Sequence, residues 1–220
     1  MTPTAVDAER HARYAWELGE AGSPDDHLAR MAFAMVSANT GLDQAVAGWH
    51  DYLATNNWHD AQAAGCSNAR WLPMLEGWAN TWVLDHAAGI YRSYLERQLG
   101  ESWTCYHRRI AMIPGLGIVK AAFAVALCHP TTCPIPCIDT WMARWLYGEG
   151  DKRWRRRGRY NKLREHDWER YYGGVAMIRA YADDWGVPGF VAQWTWWDHL
   201  RGSDNPHRFM VGQFTKEENT

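Results

Sequence analysis

An all-α fold, folded as one compact and two-lobed unit, is predicted for this 220-residue chain by three observations. Apolar residues recur at helical spacing in one segment after another, and helix-cap signatures stand at the segment starts. No stretch of useful length alternates apolar with polar residues, and neither internal repeats nor low-complexity tracts interrupt the pattern.

The elements are predicted in order along the chain. Ser23-Pro24-Asp25-Asp26 reads as a helix start, with a hydroxyl cap, proline in the first turn and acids facing the helix dipole. Leu28, Met31, Ala32, Met35 and Val36 then line one face. Thr40-Gly41-Leu42-Asp43 reads as the cap of a second helix running to about Leu53, after the polar link Ser37-Ala38-Asn39. A long helix is expected over 80–99, burying Val83, Ala87, Ile90, Tyr94 and Leu95 and ending at Gly100. Ser102 starts a shorter one. Ile113-Pro114-Gly115-Leu116-Gly117 forms a tight turn into an apolar helix from Ile118 to Cys128, stopped by His129-Pro130. The two prolines of Thr131 to Cys137 make that segment an extended loop, and Asp139-Thr140 caps a helix bearing Trp141, Met142, Trp145 and Leu146. Helices near Lys162 to Trp185 and Pro188 to Leu200 follow, then a polar tail after Gly202.

Composition narrows the class. At 47% hydrophobic residues the chain can bury a sizeable core. Its longest apolar run, Ile118 to Cys128, is broken by Lys120 and too short for a bilayer, and no basic-then-apolar leader opens the sequence, so a cytoplasmic protein without membrane contact is expected. The cysteines Cys66, Cys105, Cys128, Cys133 and Cys137 form an odd set, unlike a secreted disulfide framework, and reduced thiols are expected. Net charge is −2, yet nine of the 23 Lys and Arg residues fall between Lys152 and Arg170. That run suits phosphate contact, or a solvated helical face with Glu165, Asp167 and Glu169 interspersed. Of the 15 tryptophans, much of the ring area must be core.

The turn Ile113 to Gly117, set between two helices, has a direct use on DNA. Glycines at Gly115 and Gly117 let backbone approach a phosphate without a Cβ in the way, and amides opening the next helix point at an anion. By itself the signal is weak, because glycine-rich turns precede helices in unrelated folds. The later run Cys137-Ile138-Asp139-Thr140-Trp141-Met142-Ala143-Arg144 strengthens it. Asp139 has two readings from chemistry alone: a helix cap, or a carboxylate that stabilises positive charge as a glycosidic bond breaks and orients water.

Together these segments resemble the helix-hairpin-helix DNA glycosylase superfamily, which includes endonuclease III, the adenine glycosylases and the 8-oxoguanine glycosylases. In that family a hairpin and its helix are followed by an apolar-Asp-Thr-His-apolar-x-Arg pattern. Here Asp139, Thr140, Met142 and Arg144 stand in register, with Trp141 where His is usual. Met35-Val36-Ser37-Ala38-Asn39-Thr40 resembles the family's Leu-Ser-Ala-Gln-x-Thr segment. The resemblance covers residues 25–147, leaving 148–220 as additional C-terminal helices within a single glycosylase-like domain. It implies a two-lobed helix-hairpin-helix fold, double-stranded DNA as partner, a monomer, and base flipping. It further implies Asp139 as the catalytic carboxylate and DNA contact by Asn39, Arg144 and the turn residues Ile113, Gly115, Leu116 and Gly117. The base pocket would hold Trp141 and Cys137. A monovalent cation, Na or K, would be held by the main-chain carbonyls of Ala111, Ile113 and Leu116, bridging to phosphate.

The pattern also departs from the family. Bifunctional members carry a Schiff-base Lys two residues after the second hairpin glycine, where this chain has Val119. Lys120 is the nearest amine and the only other catalytic candidate, but one helical residue turns a side chain by roughly 100°. A monofunctional enzyme is therefore expected, with Lys120 on phosphate or solvent. No cysteine follows Cys137, so the iron-sulfur loop of some relatives is not expected. Cys128, His129, Cys133 and Cys137 are loosely spaced for zinc or for isolated buried thiols, and no other cofactor is called for. In the ring-dense stretch from Pro188 to Asp198, rings either stack on a flipped base or pack a terminal helix.

Three functions remain open. The first is a glycosylase excising a damaged or modified base, as in DNA repair. The second is a bacteriophage-type enzyme that hypermodifies DNA on the same scaffold, an amine or amino acid displacing an activated 5-substituent of thymine. The third is a non-catalytic DNA-binding protein. Short length and divergence from cellular enzymes lean towards viral or mobile DNA.

Overall fold

The computed structural model describes residues 2–38, 40–148, 165–202 and 206–214. It is mostly helical, as expected, and its chain divides into two compact units: Glu20–Cys128, and Met1–Gly19 with His129–Thr220.

In the unit Glu20–Cys128, α2 (Pro24–Val36) begins where the cap signature placed it: the Ser23 hydroxyl accepts the Asp26 amide. Then come α3 (Leu42–Thr55), α4 (Trp58–Ala63), a 3-10 turn at Ala69–Trp71, and α5 (Leu72–Ala79). α6 (Trp103–Ala111) is capped by Ser102, and α7 (Gly117–Cys128) closes the unit. The sequence of α7 is apolar nearly all round, as suits a helix enclosed by others. It packs between α2 and α6, burying Ala121, Ala122, Ala124 and Val125 with Met31, Phe33 and Met35. The guanidinium of Arg30 ties the two helices together by donating to the Leu127 carbonyl at 2.8 Å.

The helix expected over 80–99 is not there. The segment forms an antiparallel hairpin of β1 (Trp82–Asp85) and β2 (Ile90–Ser93), so the inward list Val83, Ala87, Ile90, Tyr94 and Leu95 is corrected. Leu95 is fully buried, whereas Ile90 is half exposed. Turn chemistry overrides the helical spacing: Asp85 Oδ1 accepts the Ala87 and Ala88 amides, and Gly89 takes a positive φ of 69°. Asp85 Oδ2 accepts from Arg92 and from the Leu99 amide, and those donors, the Leu99 amide foremost, hold the buried carboxyl below its usual range.

In the other unit, α1 (Ala5–Leu18) starts in a capping box between Thr4 and Asp7. α8 (Thr140–Tyr147), α9 (Glu165–Trp185), α10 (Gly189–Arg201) and α11 (Pro206–Phe214) follow the extended loop. α11 replaces the polar tail expected after Gly202, because Met210 and Val211 bury an apolar face and the helix packs on α1. The core of this unit is aromatic. Trp145 of α8 stacks on Trp196 of α10 at 4.1 Å, and Tyr181 of α9 meets Trp196 edge-on. Among the described residues no helix is long and apolar enough to cross a membrane.

Candidate functional site

Asp139 stands at the end of the extended loop as the N-cap of α8, with extended backbone angles. Its Oδ1 accepts the Trp141 and Met142 amides at 2.9 and 3.0 Å, which is the cap its position predicts. Its Oδ2 points elsewhere: it accepts the indole N–H of Trp197, on α10, at 2.9 Å. The carboxylate is thus oriented by three N–H donors from two helices while remaining half-buried.

The loop leading to it is fixed from below by Tyr171 of α9. The Tyr171 hydroxyl donates to the Pro136 carbonyl at 2.7 Å and accepts the Ile138 amide at 3.2 Å, satisfying backbone groups just ahead of Asp139. Burial raises this phenol well above its ordinary range, so it stays a neutral donor. Two glycines let α9 and α10 approach the same region. A Cβ on Gly174 would lie 2.8 Å from the Tyr147 hydroxyl and 3.6 Å from Ile138, and one on Gly189 would lie 2.6 Å from the Pro134 carbonyl oxygen.

Beside Asp139 the surface is cationic and aromatic. Trp141 is 44% exposed, and the guanidinium groups of Arg144 and Arg201 lie 5.5 and 5.6 Å from its ring centroid. Arg201 also lies 4.5 Å from the Trp197 ring. Such cation–π pairing holds both guanidinium groups beside the Trp141 ring. The structure therefore gathers the sequence candidates Asp139, Trp141 and Arg144, and adds Trp197, Arg201 and Tyr171. Trp197 lay within the ring-dense stretch, but nothing in the sequence separated it from packing tryptophans. Cys137, the other pocket candidate, is buried.

The remaining candidates belong to the unit Glu20–Cys128. The turn Ile113 to Gly117 joins α6 to α7, with positive φ at Gly115 (97°) and Gly117 (60°). The face of Gly115 that lacks a Cβ is covered by Trp71, whose Cβ would lie 2.6 Å from an added methyl. A side chain at this position would meet Trp71, so the glycine serves internal packing there. His107 of α6 clamps the turn by hydrogen bonding through Nε2 to the Ile118 carbonyl at 2.7 Å. Full burial depresses its pKa to about 4, so the ring is neutral and Nε2–H is the donor at neutral pH.

Of the three carbonyls implied for a monovalent cation, that of Ile113 accepts the Leu116 amide at 3.2 Å. A carbonyl oxygen has two lone pairs, so this leaves one for a hard cation. Lys120 of α7 is half-buried and donates to the Ser37 hydroxyl at 3.1 Å, with its ammonium 5.2 Å from the Phe123 ring centroid. Asn39 lies outside the described residues, as does most of the basic run from Lys152 to Arg170. Among the described residues no group of three or more His, Cys, Asp or Glu side chains is placed to hold a metal ion. Cys133 instead exchanges weak hydrogen bonds with the Ile135 backbone.

Compared with known proteins, the chain matches no family model, no curated protein and no solved structure.

Proposed function

We propose that this protein is a monofunctional DNA glycosylase, which takes a damaged or modified base out of duplex DNA and cleaves its N-glycosidic bond with the help of Asp139. The observation that carries this reading is the Asp139 carboxylate. It is oriented by three donors and flanked by a half-exposed indole and two guanidinium groups. A carboxylate in such surroundings can stabilise the positive charge that develops on the sugar as the bond breaks. The Trp141 ring offers a stacking surface for an extruded base, and Arg144 and Arg201 offer charge to the flanking phosphates.

The position of Lys120 supports the monofunctional assignment. Its ammonium is engaged with Ser37 and Phe123, and Val119 occupies the place of the Schiff-base lysine.

The test is a panel of duplex oligonucleotides carrying single uracil, 8-oxoguanine, alkylated purine, mismatched or 5-hydroxymethyluracil bases. The expected result is a strand break at one of these bases, seen with the native protein and only after alkali. Breaks before alkali would overturn the monofunctional assignment. Duplex bound but left uncleaved across the panel would overturn the glycosylase reading in favour of base modification or simple DNA binding.

A further inference from the structure

Two adjacent residues of α10 send their side chains to different partners, and each partner belongs to a different helix start or helix body. Trp197 donates its indole N–H to Asp139 Oδ2 at 2.9 Å. Asp198 turns the other way and accepts His11 Nε2 of α1 at 2.7 Å, in a pair whose side chains are 8% and 1% exposed. His11 Nδ1 lies 2.8 Å from the Asp7 carbonyl oxygen and 3.3 Å from the Thr195 hydroxyl, which itself donates to the Val191 carbonyl. The last turns of α10 are therefore pinned to α1 by a buried, hydrogen-bonded polar cluster. A helix held in this way cannot rotate about its axis without breaking that cluster, and it presents Trp197 at one fixed angle.

That arrangement has a chemical consequence at Asp139. Oδ1 is occupied by the two cap amides, so Oδ2 is the oxygen left to face a reacting sugar or a water. A carboxylate with one oxygen capped can still swing about its Cβ–Cγ bond; a donor on the second oxygen removes that freedom. Preorganisation of this kind matters because misplacement of a charge-stabilising group is felt in the transition state far more than in binding.

We infer that Trp197 is a positioning residue for Asp139, aimed by the buried His11–Asp198 contact between α1 and α10, so that these two helices together orient the carboxylate. This rests on the glycosylase reading for the reaction, but not for the coupling of the two side chains. Among the described residues, Asp7 and Tyr14 of α1 face His11, the Tyr14 ring edge-on at 5.8 Å, while His199 on α10 packs edge-on against Trp196.

The experiment uses the full chain labelled with 15N-tryptophan, whose indole resonances are followed by NMR, with W197F identifying the Trp197 signal. The Trp197 indole resonance is expected to shift in D139A, which removes its acceptor. In single turnover on the duplex whose base the native protein releases, W197F is expected to lower the rate roughly tenfold, the loss of one hydrogen bond to a charged group. Phe keeps a ring under Arg201, so DNA affinity and melting temperature should stay close to those of the native protein. D198A, which removes the acceptor of His11 Nε2, tests the aiming contact and should reproduce the slower rate. A Trp197 resonance indifferent to D139A, or a W197F rate equal to the native one, would overturn the inference. Should no duplex release a base, the resonance arm still decides whether the two side chains are coupled, and the failure falls on the glycosylase reading alone.

Discussion

The Tyr171 hydroxyl bridges the Pro136 carbonyl and the Ile138 amide, and so sets the path of the backbone into Asp139. Replacing it by Phe keeps the ring packing and removes both bonds, leaving a buried amide and carbonyl unsatisfied. Y171F should cost about 2 kcal/mol of stability, read as a lower denaturation midpoint. It should also slow base release, because the loop that presents Asp139 is loosened.

Asp139 caps α8 and is proposed to carry the charge that assists bond breaking, and these roles separate by substitution. Serine caps a helix about as well as aspartate, whereas alanine does not. D139S should therefore melt close to the native protein and D139A should lose about 1 kcal/mol. Both should be without base release. Activity in D139S would show that the carboxylate is only a cap.

The His107 clamp on the turn between α6 and α7 gives a pH dependence of known sign. Its folded pKa, about 4, lies below the ordinary 6.5, so the unfolded chain takes up a proton that the folded chain refuses. Stability from this group is complete above pH 6.5 and falls as the pH drops towards 4, by about 3 kcal/mol in all. Thermal melting between these values should show a steeper loss in the native protein than in H107Q, whose amide can still reach the Ile118 carbonyl but does not titrate.

Arg201 is exposed and held over two indole rings, where it suits a phosphate. R201A should weaken binding to every duplex alike and lower the slope of log affinity against log salt by about 1. An unchanged slope would place Arg201 outside the DNA contact.

What the sequence made legible was local. The start of α2, the apolar α7 and the cap at Asp139 each follow from residues within one or two turns of each other, and all stand where expected. The hairpin of β1 and β2 was missed because Val83, Ala87, Ile90 and Tyr94 fit helical spacing by coincidence, while Asp85 and Gly89 carried the turn. α1 has a thin apolar face, Ala8, Tyr14, Ala15 and Leu18 with a histidine, which offers little periodic signal. The support of the candidate site was out of reach for a different reason. Trp197 and Asp139 are 58 positions apart, and His11 and Asp198 are 187 apart, so both contacts are products of tertiary folding.

Whether Asp139 drives rupture of a glycosidic bond is decided by mass spectrometry of the panel duplexes after incubation. The native protein should release a free base and leave an intact strand lighter by that base with water gained, and D139N should release none. Equal release by D139N would contradict the role of Asp139, and a duplex that gains mass without losing its base would contradict glycosidic cleavage itself.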